Sequence, residues 1–248
     1  MTDSLTFIGR SLRHSVRSVD ALVTAIMLPV AILLMFVYVF GGAIDPSGHY
    51  ANYVVPGIIL LCTGYGAAST AVDVAQDMAE GVVDRFRSMP ILSSAVLTGH
   101  VVASVARNAL ATALVIGVAF LTGFRPDAGA LEWLAVAGVL LLWVLALSWV
   151  AVCFGLIART VEGANGFTFL VLFLPYLSSA FVPVETMKAG LRAVAANQPV
   201  TPITETLRGL LLGTPIGSHG WQAVLWCGAL LIGAYGAASV LFRRRTAG

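Results

Sequence analysis

The stretch DVAQDMAEGVVDRFRSMPI runs from Asp73 to Ile91 and lies between two long apolar segments in a chain otherwise poor in charge. It holds four of the twelve acidic residues, at spacings of 4, 3 and 4, so on a helix they form one acidic stripe. Pro90 limits that helix, because the residue before a proline is disfavoured in the α region. The spacing fits either a solvated helix between two membrane spans or a docking helix that receives force from a soluble partner. The acidic residues of the stripe are Asp73, Asp77, Glu80 and Asp84.

The composition indicates a membrane protein. The chain has 248 residues, of which 58% are hydrophobic and 10% charged, and its mean hydropathy is +0.92. Soluble domains carry about 25% charged residues. Several uninterrupted apolar stretches of about 20 residues predict a polytopic helical protein, and their continuous pattern argues against a barrel of alternating strands. The net charge of +2 gives no indication of nucleic-acid binding.

The cysteines and histidines do not form a recognisable site. Cys62, Cys153 and Cys227 all fall inside apolar stretches, are odd in number and include no C-x-x-C pair. We therefore expect small buried hydrophobic side chains rather than a disulfide or a metal site. The four histidines are scattered without the spacing of metal ligands.

The sequence predicts an all-α fold in which residues 1–248 form a single transmembrane domain. Residues 1–20 are predicted to form an amphipathic helix in the membrane interface, with Arg10, Arg13 and Arg17 on the polar face; a soluble amphipathic segment is the alternative. The six predicted spans are about 21–42, 52–72, 102–121, 134–158, 166–184 and 221–242.

Residues 185–220 differ from the spans, because they are mixed in polarity and contain two short helical patterns. The second pattern has Thr201 as the predicted N-cap and ends at Gly213. Glu205 and Arg208 are spaced for an i,i+3 ion pair. Neither pattern is long enough to cross a membrane, so we expect a helical hairpin lying on, or dipping into, the outer interface.

The distribution of lysine and arginine predicts the orientation. An even number of spans puts both termini on one side, and cytoplasmic loops are enriched in Lys and Arg. With the termini inside, ten of the fourteen cations are cytoplasmic: Arg10, Arg13, Arg17, Arg85, Arg87, Arg107, Arg159, Arg243, Arg244 and Arg245. Four remain outside: Arg125, Lys188, Arg192 and Arg208.

No catalytic, cofactor or metal site is expected on the chain. The only lysine, Lys188, is followed by Ala189, so the Gly-Lys-Ser/Thr of a P-loop is absent. A charge near mid-membrane, typical of ion-coupled transport, is not expected either. Asp73 is the nearest candidate at the cytoplasmic end of the second span. Arg107 is expected about one turn inside the third span, from where it can extend back to the interface.

Two motifs resemble those of the permease subunits of ABC-2 type exporters, and within them the daunorubicin-resistance permease group. The first is an acidic-Gly-x-x-(D/E)-R-x-x-x-x-Pro run, and the second is an Asn-Pro-x-x-Pro-x-x-x-x-x-Arg pattern, here with one residue inserted. The similarity covers about residues 5–245. The first motif is matched by Glu80, Gly81, Asp84, Arg85 and Pro90; the second lies in NQPVTPITETLRGLLLG, with Gln198 inserted between Asn197 and Pro199.

The resemblance implies a membrane subunit that exports a hydrophobic drug, a polyketide-like compound or a lipid across the cytoplasmic membrane by alternating access. Two copies, or one copy and a sister permease, would pair with two separate ABC ATPase subunits that bind ATP and Mg²⁺. Residues 77–90 would be the coupling helix seated on the ATPase. Its charged contacts would be Asp77, Glu80, Asp84 and Arg85, and its apolar contacts Phe86 and Met89.

Other functions remain compatible with the residues. A membrane scaffold or assembly protein that transports nothing is one alternative, and a secondary transporter is another. Aromatic residues of the fifth span fit either cargo contact or packing against lipid and other helices: Phe167, Phe169, Phe173 and Tyr176.

Overall fold

The computed structural model describes residues 19–46, 48–80 and 93–247, and regular secondary structure within these ranges is helical, as predicted. Most of the predicted amphipathic helix at 1–20, and the charged stretch beyond Glu80, lie outside the described residues. The α-helices longer than one turn are α1 (Val19–Leu34), α2 (Tyr50–Ala79), α3 (Ser93–Leu121), α4 (Ala130–Ile157), α5 (Val161–Phe173), α6 (Ala189–Asn197), α7 (Val200–Leu212) and α8 (His219–Ala247).

In the described part of the chain, five segments are long and apolar enough to cross a membrane. Helix α1 reaches that length because it continues through a π-helical stretch, Met35–Phe40, and one more helical turn, Gly41–Ile44. The chain is therefore a multi-pass membrane protein. The five segments are Ile26–Ile44, Tyr50–Ala79, Val96–Leu121, Ala130–Ile157 and His219–Arg244.

The predicted fifth span is a shorter apolar segment, Val161–Leu177. It begins earlier than expected, because the Thr160 hydroxyl accepts a hydrogen bond from the Gly163 amide (3.1 Å) and caps α5. It also ends earlier than the predicted residue 184. Pro175 has no N–H to continue the α-helical ladder, and the chain tightens into a 3₁₀ turn, Leu174–Leu177, before it becomes irregular.

Helix α2 is the centre of the bundle and α8 lies at its edge. Helix α2 packs against α1, α3, α4, α5 and α7, and 78% of its most apolar stretch is buried, against 17% for α8. Small residues allow this dense packing, as the sequence predicts for the run around Gly66. A Cβ added to Gly66 would lie 2.3 Å from the Asn108 side-chain oxygen, and one added to Gly155 would lie 2.6 Å from the Ala71 carbonyl oxygen.

Helix α8 packs against α4 and α7. The Trp149 ring meets Tyr235 edge-on with centroids 4.8 Å apart, and the Cys153 thiol donates to the Ala234 carbonyl oxygen at 3.2 Å. All three cysteines are buried free thiols, which confirms their interpretation as small buried side chains.

Helices α6 and α7 occupy the predicted external segment. The C-terminal prediction for α7 is confirmed: Gly213 has φ +66°, the left-handed conformation that ends many helices. The predicted N-cap is wrong. Helix α7 begins at Val200, and the Thr201 hydroxyl instead donates to the Ala195 carbonyl oxygen at 2.6 Å and accepts from the Ser179 amide at 3.3 Å. Most of α7 is buried, so it is inserted into the end of the bundle.

Candidate functional site

The charged stretch begins as an uninterrupted continuation of α2. That helix runs from the apolar segment through Asp73 and Asp77 to Ala79, and Glu80 is its C-cap. The remaining predicted ATPase contacts, Asp84, Arg85, Phe86 and Met89, lie outside the described residues. A displacement of this end of α2 therefore passes directly along a single helix into the bundle.

The acidic stripe faces basic side chains on the neighbouring helix α3. The Asp77 carboxylate lies 2.9 Å from His100 Nε2, and the Asp73 carboxylate accepts a hydrogen bond from the Arg107 guanidinium at 3.2 Å. The same guanidinium nitrogen donates to the Ser69 hydroxyl at 2.8 Å. We call this set, Ser69, Asp73, Asp77, His100 and Arg107, the charged seam.

The position of Arg107 differs from the prediction. Because α3 begins at Ser93 rather than near residue 102, Arg107 lies near the middle of the helix and not one turn from its start. Its side chain is only 10% exposed, and it pairs with Asp73 instead of extending alone to the interface. The charge is tolerated there because an opposite charge and a hydroxyl group contact it.

The two described members of the predicted ATPase contact set have different surroundings. Glu80 is exposed, and its carboxylate accepts a hydrogen bond from the Gln76 side chain at 2.9 Å. Asp77 is half-buried and directed onto His100 of α3. Glu80 is thus the described acidic residue of this set that is presented outward, while Asp77 contributes to contact between two helices.

A second polar group links α3 to α4. The Asn108 amide donates to the Ser104 carbonyl oxygen at 2.9 Å, and the hydroxyl groups of Ser104 and Ser148 are 2.9 Å apart. All three side chains are buried. Sequence reasoning missed them; the available signal was a serine and an asparagine one helical turn apart within an apolar segment, where polar residues favour helix–helix contact.

At the opposite end of α2, Arg208 joins three parts of the chain. It pairs with Glu205 at 2.6 Å, as predicted, and donates to the carbonyl oxygens of Tyr53 (3.1 Å) and Ser179 (3.0 Å). Its guanidinium carbon lies 3.8 Å from the centre of the Tyr53 ring. The burial of this arginine was not predicted, since its spacing fits an exposed helix face.

The aromatic residues of the segment Val161–Leu177 have different environments. Phe167 is buried and stacks on Phe154 with centroids 4.4 Å apart, so it packs within the chain. Tyr176 stacks on the buried Phe181 at 4.8 Å. Phe169 and Phe173 are exposed at the surface of the bundle.

These features define a multi-pass helical membrane protein with a charged helical hairpin at one end and a short inserted helix at the other. Comparison with known families identifies it more closely. The ABC-2 type transporter family profile matches residues 3–212, and the chain belongs to this family.

Individual relatives agree with this assignment. The chain is 30% identical to the daunorubicin resistance ABC transporter permease protein DrrB1 of Streptomyces coeruleorubidus over 218 residues, which is 84% of this chain and 77% of that protein. It is 23% identical to the probable doxorubicin resistance ABC transporter permease protein DrrC of Mycobacterium tuberculosis over 231 residues, 90% of this chain and 82% of that protein.

The predicted membership of the drug-resistance permease group is confirmed. The chain is a membrane permease of the ABC exporter class and a transport component, and its family implies an ABC ATPase as partner on a separate chain.

Proposed function

We propose that this chain is the permease subunit of an ATP-driven exporter that moves a hydrophobic small molecule out of the cell across the cytoplasmic membrane. The observation that carries the proposal is the family match over residues 3–212 in a chain whose sequence has no P-loop. The energy must then come from another chain. The two relatives' names refer to daunorubicin and doxorubicin resistance, which favours a hydrophobic drug-like cargo over a lipid.

In this proposal Val161–Leu177 also crosses the membrane, which brings the number of spans to six, and both termini are cytoplasmic. Contacts among the connections at the outer end support it. The Arg125 amide donates to the Asn52 side chain at 2.9 Å, and the Asp127 amide donates to the Leu211 carbonyl oxygen at 2.9 Å. The connection after α3 and helix α7 therefore lie at one end of the bundle, while the connection between α2 and α3 is at the other. The positive-inside rule assigns that second end to the cytosol.

The segment 77–90 acts as the coupling helix. ATP binding closes the ATPase dimer, and the segment moves with the ATPase surface on which it is seated. Because α2 is continuous to Ala79, this displacement tilts α2 and changes access to a cavity between two permeases. ATP biases the membrane states through its preference for the closed ATPase dimer. Asp84, Arg85, Phe86 and Met89 are proposed contacts together with Asp77 and Glu80.

The complete exporter contains two ATPase subunits, which hold ATP and Mg²⁺, and two permeases. The second permease is either another copy of this chain or a sister permease. A single bundle of this size is filled by its own core around α2, so the cargo path is placed between two permeases rather than within one.

The test is ATP-driven transport in proteoliposomes that contain this chain and its ABC ATPase. We expect a fluorescent hydrophobic drug to accumulate in inside-out vesicles with ATP, and not with an ATPase variant that cannot hydrolyse it. Accumulation driven by a proton or sodium gradient without ATP would instead establish a secondary transporter. Assembly with the ATPase and no movement of any drug or lipid tested would favour a scaffold.

A further inference from the structure

The charged seam connects the two helices that flank the proposed coupling segment. Asp73 and Asp77 are one turn apart on α2, and His100 and Arg107 are two turns apart on α3. Because the helices are antiparallel, the residues meet at two levels: Asp77 with His100 near the segment, and Asp73 with Arg107 deeper in the bundle. Contacts at two levels oppose both the sliding of the two helices along each other and the separation of their ends. A contact at one level alone would leave the helices free to rotate about it.

Apolar packing alone gives weaker resistance in a membrane. Lipid tails contact an apolar helix face about as well as another helix does, so no hydrophobic force returns two separated helices to each other. A charged contact behaves differently, because separating it leaves an unpaired charge in a low-dielectric environment. The Arg107 side chain is 10% exposed and that of Asp73 is 43% exposed. Opening the pair therefore leaves Arg107 as the more deeply buried unpaired charge.

The polar contacts between α2 and α3 extend to α4 through Asn108, the residue that follows Arg107 on α3. Asn108 fits against Gly66 of α2, where any larger residue would collide with its side chain. One turn away, the Ser104 hydroxyl contacts that of Ser148 on α4. The polar contacts thus begin at the proposed coupling segment and continue across three helices.

We propose that Arg107 is a positioning residue for transport: it holds α2 and α3 together so that displacement of the segment between them moves both helices as one body. The proposal rests on the proposed function. It assigns Arg107 a role in the efficiency with which ATP hydrolysis is converted to transport, apart from any contact with cargo or ATPase.

The experiment compares Arg107→Lys and Arg107→Gln with the wild-type chain, each co-reconstituted with the ATPase. Drug transported and ATP hydrolysed are measured in the same vesicles and normalised to assembled complex. Lysine keeps the charge but not the planar guanidinium, one terminal nitrogen of which contacts both Asp73 and Ser69. We expect transport per ATP to fall about threefold in Arg107→Lys and about tenfold in Arg107→Gln, with ATP hydrolysis retained.

Arg125→Gln is the matched control. Arg125 follows the opposite end of α3, and its guanidinium donates only to the nearby carbonyl oxygens of Phe120 and Phe124 among the described contacts. Its transport per ATP should equal that of the wild type. A purely structural role for Arg107 would lower the amount of assembled complex without changing the ratio, and that result would overturn the proposal.

A further pair of variants provides a test by charge exchange. Asp73→Arg and Arg107→Asp each bring two like charges together and should abolish coupling, while the double variant restores an opposite pair and should regain part of it. Normal coupling in either single variant, or in Arg107→Gln, would also overturn the proposal. If the wild-type chain itself shows no ATP-driven transport, the proposed function fails. If the wild type transports and the Arg107 variants transport as much per ATP, only the inference about Arg107 fails.

Discussion

The guanidinium carbon of Arg208 lies 3.8 Å from the centre of the Tyr53 ring, so helix α7 is joined to α2 by a cation–π contact at the end of the bundle opposite the charged seam. The same side chain donates to the backbone carbonyl oxygens of Tyr53 and Ser179 and pairs with Glu205. One planar group thus connects α7, α2 and the irregular chain after α5. Three directed contacts of this kind require the guanidinium fork.

We predict that Arg208→Lys lowers the stability of the purified protein and that Arg208→Ala lowers it further. The Arg208 side chain is 9% exposed, and removing one partner of a buried pair costs on the order of 3 kcal/mol. Thermal unfolding in detergent, followed by the loss of monodisperse protein, measures the difference. Arg192→Lys, an exposed arginine on α6, is the control. Equal midpoints for Arg208→Ala and wild type would contradict the anchoring role.

Gly155 and Gly138 of α4 make a matched pair for the packing of α4 on α2. A Cβ at position 155 would lie 2.6 Å from the Ala71 carbonyl oxygen, whereas one at 138 meets nothing within 4 Å. Gly155→Ala should therefore destabilise the protein by about 1–3 kcal/mol, and Gly138→Ala should be neutral or stabilising by up to about 1 kcal/mol. Thermal midpoints in detergent provide the measurement; a tolerated Gly155→Ala would show that the helices can separate at this crossing without loss.

Reversal of charge in the proposed coupling segment should uncouple the exporter. In the double variant Glu80→Lys/Asp84→Lys, we expect membrane insertion to be unchanged and ATP-driven transport to fall about tenfold or more, because like charges at an interface oppose docking. Co-purification with the ATPase and drug transport are measured together. Glu162→Lys, an exposed acidic residue at the start of α5, should leave both unchanged. Wild-type transport by the double variant would remove the segment from the ATPase interface.

Membrane topology can be tested with introduced thiols, because the native cysteines are buried. Glu162 and Thr214 are both exposed, and the proposed orientation puts them on opposite sides of the membrane. A membrane-impermeant maleimide should label Thr214→Cys in intact cells, and Glu162→Cys only in inside-out vesicles. Labelling of both from the same side would exclude Val161–Leu177 as a crossing helix, since an odd number of crossings separates the two positions in the proposed topology.

Several features could be predicted from the sequence because they depend on composition and local pattern. Apolar runs predict membrane helices, since a chain in lipid must satisfy its backbone hydrogen bonds internally. The end of α7 at Gly213 follows from glycine's tolerance of positive φ. The pairing of Glu205 with Arg208 follows from helical spacing. The family followed from motifs around Glu80 and Arg208, which are local in the sequence.

Other features were decided by tertiary contacts. The Thr201 hydroxyl was available to cap its own helix but bonds instead to the Ala195 carbonyl oxygen on α6 and to the Ser179 amide, which lies 22 residues away and is brought within reach by folding. Arg107 has Asp73 as its partner because α2 and α3 are antiparallel in a particular register. Local spacing within either helix carries no information about that register. The sequence by itself therefore determined the all-helical class, the membrane environment and the family, whereas the packing of separate helices decided which polar side chains meet.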